Sequence, residues 1–279
     1  MSSNNKSNKK DPNLANRSEF KKMFGVYPNE INILICTPCY GGQLFSSYFH
    51  SVLSAIKVFD KLGIKYGIKT IANESLVTRA RNVCVSYFLS DDDYTHLMFI
   101  DADVSFGSDS ILKLLRADKD VISGVYPKKT YMFEKLPAII KNEPETWYTN
   151  IREKLADYVV NFYSNRAKIE KNCIRVKDAP TGFMLIKRSV FEDLKKANPN
   201  LRYKNDLNLN SNQHKEDTFW LFFDCILDKD DRRYLSEDYS FCRLVQDIDK
   251  EIWIDVTVKL DHTGMHTFKG DLTTQFDIE

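Results

Sequence analysis

The 279-residue chain has no run approaching the roughly 20 consecutive apolar residues that a bilayer-spanning helix needs. It also shows no secretory leader at its start. Met1 to Lys10 is polar and basic, with no apolar stretch behind it. Both absences predict a soluble protein of the cytoplasm. Net charge is missing too: 40 Lys and Arg stand against 39 Asp and Glu, a net charge of +1. A nucleic-acid-binding surface usually carries a strong basic excess, so that class has no electrostatic support. Cysteine is present but not in a framework. Cys36, Cys39, Cys84, Cys173, Cys225 and Cys242 are scattered among mostly apolar neighbours and read mainly as buried, reduced thiols. There is no internal repeat.

What is present is enough apolar residue, 43%, for a sizeable core, with 18 Phe and 14 Tyr. Aromatics build cores and also stack on bases and sugars, and composition does not separate the two uses. Residues 1–28 are rich in Ser, Asn and Lys without hydrophobic periodicity, which predicts a flexible tail with room for one short helix. From Ile31 onward the pattern alternates. An apolar run, 31–36, is closed by Thr37-Pro38. A helical stretch comes next near 45–62, then a strand at 65–71, a helix at 75–89 and a strand at 95–100. Ser108 is a candidate cap for a helix at 109–116, and 121–124 is a further strand. This order predicts an α/β fold with a mainly parallel sheet flanked by helices. Farther on, the expectations are an amphipathic helix within 141–170, a strand at 182–187, a helix capped by Ser189, a long loop at 198–216 and a helix at 236–248. A single strand over 252–260 is expected to alternate between a core face and a polar face.

The sharpest chemical signal is a pair of acids. A nucleoside diphosphate is strongly anionic and binds beside carboxylates only with a divalent cation between them. Mg²⁺ and Mn²⁺ take oxygen ligands, often one or two carboxylates plus phosphate oxygens. The chain holds five Asp-x-Asp pairs, at 91/93, 101/103, 118/120, 228/230 and 247/249. Only Asp101 and Asp103 come directly after a strongly apolar strand, His96-Leu-Met-Phe-Ile100. That position is the carboxyl end of a sheet strand, where open α/β sheets bind ligands. The alternative is a turn or helix cap, which does not require two acids there.

Several segments in order resemble the GT-A glycosyltransferases, including family-2-like enzymes, the fungal mannosyltransferases of the Anp/Mnn type and related proteins of large DNA viruses. The segments are Ile35-Cys-Thr-Pro-Cys-Tyr40, Glu74-Ser-Leu-Val-Thr-Arg-Ala-Arg-Asn82, Phe99-Ile-Asp-Ala-Asp103, Pro180-Thr-Gly-Phe-Met-Leu-Ile-Lys-Arg-Ser-Val-Phe191, Ser236-Glu-Asp-Tyr-Ser-Phe241 and Asp261-His-Thr-Gly264. The resemblance spans Ile31 to about Phe268. It implies one Rossmann-like GT-A domain over 29–279, with a nucleotide-sugar half at about 30–130 and an acceptor half at about 131–270. It implies transfer of a sugar from a UDP- or GDP-linked donor to a hydroxyl of a glycan or glycoprotein, with Mn²⁺ or Mg²⁺ as cofactor. A virus-type system in a host cytoplasm would fit.

Carried over residue by residue, the resemblance makes Asp103 the first metal ligand. Asp101 contacts ribose or reaches the metal through water, and His262 is a third candidate with His266 competing. Asp238 becomes the general base, with Glu237 beside it as an acceptor contact. The ordinary alternative for Asp238 is a helix cap, since Ser236 is a good N-cap and acids are favoured in a first helical turn. Thr37, Pro38 and Tyr40 lie where a first-strand loop would meet the base, and Tyr40 is equally a core candidate. Arg79 and Asn82, three apart on one helix face, are candidates for the diphosphate or for a solvated face. Gly182 would let a substrate approach closely, or simply make a turn. Other readings remain. Cys36-Thr-Pro-Cys39 has the spacing of a thiol redox pair. Cys36/Cys39 with His262/His266 has zinc-like pair spacings, though distant ones. A sugar- or nucleotide-binding module or scaffold without catalysis is the third.

Overall fold

A computed structural model of the chain describes residues 12–164, 167–206 and 215–265. It begins with α1 (Pro12–Phe24) and β1 (Asn32–Cys39). Next come α2 (Ser46–Leu62), β2 (Lys65–Ala72), α3 (Val77–Ser90), β3 (His96–Ile100) and β4 (Val104–Phe106). α4 (Ser110–Ala117), β5 (Val121–Ser123), β6 (Pro127–Tyr131), α5 (Leu136–Asn142), α6 (Ile151–Leu155) and β7 (Ala156–Tyr158) continue the chain. The remainder is β8 (Cys173–Val176), β9 (Phe183–Lys187), α7 (Arg188–Ala197), β10 (Ile226–Leu227), β11 (Tyr234–Leu235), α8 (Glu237–Gln246), β12 (Ile252–Asp255) and β13 (Leu260–His262).

Seven strands form the central sheet in the order β2-β1-β3-β9-β5-β12-β8. β2, β1, β3, β5 and β12 run in one direction, and β9 and β8 run against them. Both faces are covered, so successive strand residues enter different cores. Leu34, Cys36, Leu97 and Phe99 pack with α3, α7 and α8. Ile33, Ile35, Met98 and Ile100 pack with α1, α2 and α4. A fully buried Leu, Ile, Met or Phe side chain contributes about 1.5–3 kcal/mol, which makes β3 a rigid base for the acidic turn at its carboxyl end. Among the described residues no helix is long and apolar enough to cross a membrane.

The one short helix allowed for in the N-terminal stretch is present as α1, which tucks Phe20 into the core, with Phe24 stacked on it at 4.0 Å. Three expectations are corrected. No long helix fills 141–170. In its place stand the end of α5, the short α6 and strand β7, with Pro144 just after α5 and Asn150 in a left-handed conformation before α6. The strand expected at 252–260 is two strands. Asp255 accepts hydrogen bonds from the Thr257 amide (2.7 Å) and hydroxyl (2.6 Å), a local turn that ends β12, and β12 is buried on both faces. Neither Ser108 nor Ser189 caps a helix: α4 starts after Asp109 and α7 after Lys187. Of the expected loop at 198–216, residues 207–214 lie outside the described residues.

Candidate active site

The site grows from the point where β3 stops. Ile100 is fully buried, and the next residue, Asp101, leaves the sheet in a turn closed by Val104 N–H donating to Asp101 C=O at 3.1 Å. Three distant segments hold that turn. The Asp101 amide donates to Gly182 C=O (2.9 Å), the Phe45 amide to Ala102 C=O (3.0 Å) and the Thr263 amide to Asp103 C=O (2.8 Å). Gly182 has to be glycine here. A Cβ would lie 2.6 Å from Asp101 Oδ2 and 2.7 Å from the Tyr126 ring. Ser123 fixes the preceding loop by donating to Pro180 C=O at 2.7 Å.

Asp103 and His262 meet because β13 pairs antiparallel with β4, setting His262 opposite Val104. His262 Nε2 lies 3.5 Å from Asp103 Oδ1, while its Nδ1 lies 2.9 Å from Pro127 C=O. A carbonyl can only accept, so Nδ1 carries a proton and Nε2 is the ring nitrogen that faces the carboxylate. With Nδ1 so held, Nε2 would be the atom offered to a metal ion. The Lys129 ammonium holds the other carboxylate oxygen at 2.5 Å. Its stem crosses Gly264, where a Cβ would meet Lys129 Cδ at 2.6 Å. Burial opposes ionisation of Asp103, but hydrogen bonds from His262 and Lys129 outweigh it and hold the group at about 2.

The donor set therefore fits a divalent cation as two protein ligands, Asp103 and His262, with a lysine already neutralising one carboxylate oxygen. Among the described residues no third His, Cys, Asp or Glu joins them in a metal-binding group. The remaining positions would fall to water and phosphate oxygens, as is common for Mg²⁺.

A second group adjoins the first through Arg81. Its Nη2 lies 3.1 Å from Asp101 Oδ1 and 3.4 Å from Oδ2, and its Nε donates to Glu237 Oε1 at 3.0 Å. The guanidinium is buried over the Phe99 ring, 5.4 Å from the centroid. Burial works against its charge, yet Asp101 and Glu237 keep it above its ordinary value. Tyr126 completes this wall. Burial, then the Asp101 charge, pushes its phenol well up, and its ring meets His262 edge-on at 4.8 Å.

Asp238 stands next to Glu237 in the first turn of α8. Ser236 occupies the N-cap position, but its hydroxyl donates to Asp238 Oδ1 and accepts no hydrogen bond from the helix backbone. The same oxygen accepts the Tyr239 amide at 2.9 Å, leaving Oδ2 without a protein donor among the described residues. Burial raises the Asp238 carboxyl above its ordinary value, against the Ser236 hydrogen bond.

The other sequence candidates are distributed differently. Thr37 is fully buried and shares a hydrogen bond with the Tyr48 hydroxyl. Pro38 is partly exposed at the end of β1, and Tyr40 is 80% exposed on the loop beyond it. Arg79 pairs with Glu74 at 2.6 and 2.9 Å rather than with the acidic cluster. Asn82 is buried. Its Oδ1 accepts the Phe222 and Phe223 amides (both 3.0 Å) and its Nδ2 donates to Phe223 C=O (2.8 Å), so both acceptor positions and one donor go into holding that segment. His266 lies outside the described residues. Cys36 and Cys39 are free and lie within β1, well ahead of α2. Burial raises the Cys36 thiol well above its ordinary value and Cys39 to about 11, the reverse of what a reactive thiolate requires.

Arg81, Tyr126 and Lys129 are the site-lining residues that sequence reasoning passes over. Arg81 left a signal. It shares the 81/84/85/88 stripe of α3 with Cys84, Val85 and Phe88, all buried, and a charge on a buried face needs a partner. Tyr126 and Lys129 left none, because each joins the site only through a contact distant in the chain, Tyr126 with His262 and Lys129 with Asp103.

No protein-family profile and no curated protein matches the sequence. Solved structures do resemble the chain path. A197 from STIV is 18% identical, with 84% of this chain and 87% of that one covered and a TM-score of 0.44. GalNAc-T7, in a structure with UDP, GalNAc and Mn²⁺, is 10% identical, with 83% of this chain covered and a TM-score of 0.44. The catalytic domain of Drosophila β1,4-galactosyltransferase 7, in complex with xylobiose, is 10% identical, with 82% of this chain covered and a TM-score of 0.41. The chain spans 44% of the GalNAc-T7 chain and 66% of the Drosophila one. The architecture, a helix-covered sheet with acids beyond the carboxyl end of β3, is consistent with a Rossmann-like GT-A fold.

Proposed function

We propose that this chain is a metal-dependent glycosyltransferase that moves a sugar from a UDP- or GDP-linked donor to a hydroxyl of a glycan or glycoprotein, with inversion. The observation carrying this reading is the joining of two carboxylate groups across one arginine. Asp101 and Asp103 end β3, Glu237 and Asp238 begin α8, and Arg81 contacts a member of each pair. A cation site next to a half-buried carboxylate with one free oxygen is what transfer from a diphosphate to a hydroxyl requires.

In this reading Asp103 and His262 hold Mn²⁺ or Mg²⁺, and the bound cation supplies Lewis acidity to the leaving diphosphate. Lys129, freed from Asp103, adds positive charge at the same place. Asp101, held by Arg81, meets the ribose or a metal-bound water. The exposed Tyr40 ring offers a stacking face to the base. Asp238 Oδ2 takes the proton of the acceptor hydroxyl as its oxygen bonds to the anomeric carbon. The bond from that carbon to the diphosphate oxygen breaks, and its electron pair leaves with the nucleoside diphosphate. Residues 30–130 serve the donor and 131–270 the acceptor within one domain, acting in the cytoplasm without nucleic acid.

Thermal denaturation with UDP, GDP, CMP and dTDP, each with and without Mn²⁺, tests the reading on wild type and Asp103→Ala. A ligand binding only the folded state at a hundred times its Kd adds about 2.7 kcal/mol of stability. Stabilisation by one nucleotide that needs Mn²⁺ and disappears in Asp103→Ala is the expected result. Stabilisation without any sugar transfer would favour a binding module, and no stabilisation by any nucleotide would remove the reading.

A further inference from the structure

Among the described residues, two buried side-chain polar atoms lack a hydrogen-bond partner: Arg81 Nη1 and Thr181 Oγ1. Both fall at the site. Thr181 precedes Gly182, whose carbonyl receives the Asp101 amide, and Arg81 contacts Asp101 directly. An arginine chosen for stability alone would satisfy its fork, because an orphaned buried donor costs free energy and well-packed apolar replacements of buried ion pairs are often neutral or better. Arg81 keeps its place at that cost. Its geometry is also specific. Nε faces a carboxylate on α8 while Nη2 faces one beyond β3, so a single rigid plane spans two elements that share no backbone hydrogen bond. A lysine carries the same charge as a point and cannot hold two carboxylates at fixed angles.

We propose that Arg81 is a positioning residue that locks the first turn of α8 to the Asp101 turn, so that Asp238 stands at a set place relative to the cation site. Glu237 is the handle. Arg81 holds it, and the next residue inherits the position. This assignment rests on the functional reading above only for its catalytic consequence. The mechanical lock stands on the Arg81 contacts alone.

Two measurements on the full chain separate those parts. In Arg81→Lys, hydrogen exchange of the Ser240 and Phe241 amides, which close the first turn of α8, rises about tenfold or more, while amides of β3 and of the last turn of α8 keep wild-type protection. With a donor that wild type uses, kcat falls about 100-fold and the donor KM stays within about threefold, since misplacement of a group by about 1 Å has that order of effect on the chemical step. Glu237→Gln gives the same exchange pattern more weakly and serves if Arg81→Lys does not fold. Unchanged exchange at Ser240 and Phe241 in both variants overturns the lock, as does loss of protection throughout the molecule, which would make Arg81 a general folding residue. A lysine variant with wild-type kcat overturns the positioning of Asp238, because charge alone would then suffice. If wild type transfers no sugar, the functional reading fails while the exchange arm still decides the lock.

Discussion

Two arginines in this molecule, the buried Arg81 and the partly buried Arg243, each bridge two carboxylates, and they differ in completeness. Arg243, on α8, reaches Asp228 through Nε at 3.1 Å and Asp178 through Nη1 at 2.6 Å, with Nη2 3.5 Å from the second Asp178 oxygen. Its partners are saturated in turn. Asp228 accepts the Asp230 amide (2.9 Å), and Asp178 accepts the Asn161 amide nitrogen (2.9 Å). Arg81 has an orphaned nitrogen, and its partner Asp101 has a side chain 27% exposed, against none for Asp178. The same chemistry thus serves two ends. A network closed on itself fixes backbone segments, and one left open beside a partly exposed carboxylate keeps capacity for something that arrives. Polar satisfaction separates framework from site more sharply than charge or burial does.

The largest expected effect tests the open end. Asp238→Asn keeps the shape of the side chain and removes the base, so transfer falls by about 10²–10⁴-fold while the unfolding midpoint stays near wild type. Activity measured beside thermal denaturation checks both halves. A fall in stability with activity intact would make Asp238 a helix cap. The closed end should respond the opposite way. Asp178→Ala removes the fully buried partner of the partly buried Arg243 and should cost about 2–3 kcal/mol in urea unfolding, with nucleotide binding by the surviving folded fraction unchanged. A loss below about 1 kcal/mol, the scale of an exposed pair, would erase the distinction between the two arginines.

The comparison extends to pH along β3 itself. At its first residue, burial and then the Lys187 charge lower His96 to about 4. A histidine depressed in the folded state binds fewer protons than in the unfolded one. Its contribution is therefore present above the unfolded value of about 6.5 and lost as pH falls toward 4, at most about 3 kcal/mol. Beyond the other end of the strand, the depressed carboxyl of Asp103 contributes above its unfolded value of about 3.9, and that contribution goes only as pH falls through about 2. Denaturation between pH 7 and 4 should thus soften by way of His96, and His96→Gln should flatten the curve over that window. If the curve is equally steep in the variant, His96 is not the group responsible. Asp238, raised by burial, should place the acid limb of kcat/KM above the ordinary carboxylate value. The smallest effect concerns Lys129. Its pair with Asp103 is half-exposed and worth up to about 1 kcal/mol, so Lys129→Ala should tighten Mn²⁺ binding by no more than about fivefold, read by calorimetry. Weakened Mn²⁺ binding would instead mean that the lysine helps build the site.

Much of the scaffold was legible locally. The apolar run 96–100 ending in two acids, and the periodic helices around it, come from side-chain spacing alone. The irregular stretch from 132 to 170 was not, because its short elements lack a period long enough to read. Within the site, Asp101, Asp103, Asp238 and His262 stood out as residue types at the ends of patterned segments. Arg79 and Asn82 drew notice for being polar three apart, yet Arg81, on the buried stripe between them, is the member that contacts the acidic cluster. Helix spacing says which residues share a face. It does not say which face meets a carboxylate 20 or 156 positions away.

The sequence by itself determined the first sheet strands, β1, β2, β3 and β5, the helices between them and the place where a buried strand gives out into charge, because those depend on near neighbours and on the period of the backbone. Only the tertiary structure decided that β13 lays His262 against Asp103 and that one guanidinium spans the Asp101 turn and α8. It also decided that Asn82 and Thr37 spend their polar atoms inside the fold. Those outcomes depend on contacts between segments far apart in the chain, and a carboxylate, an amide or a hydroxyl reads the same in sequence whether packing closes it off or leaves it open.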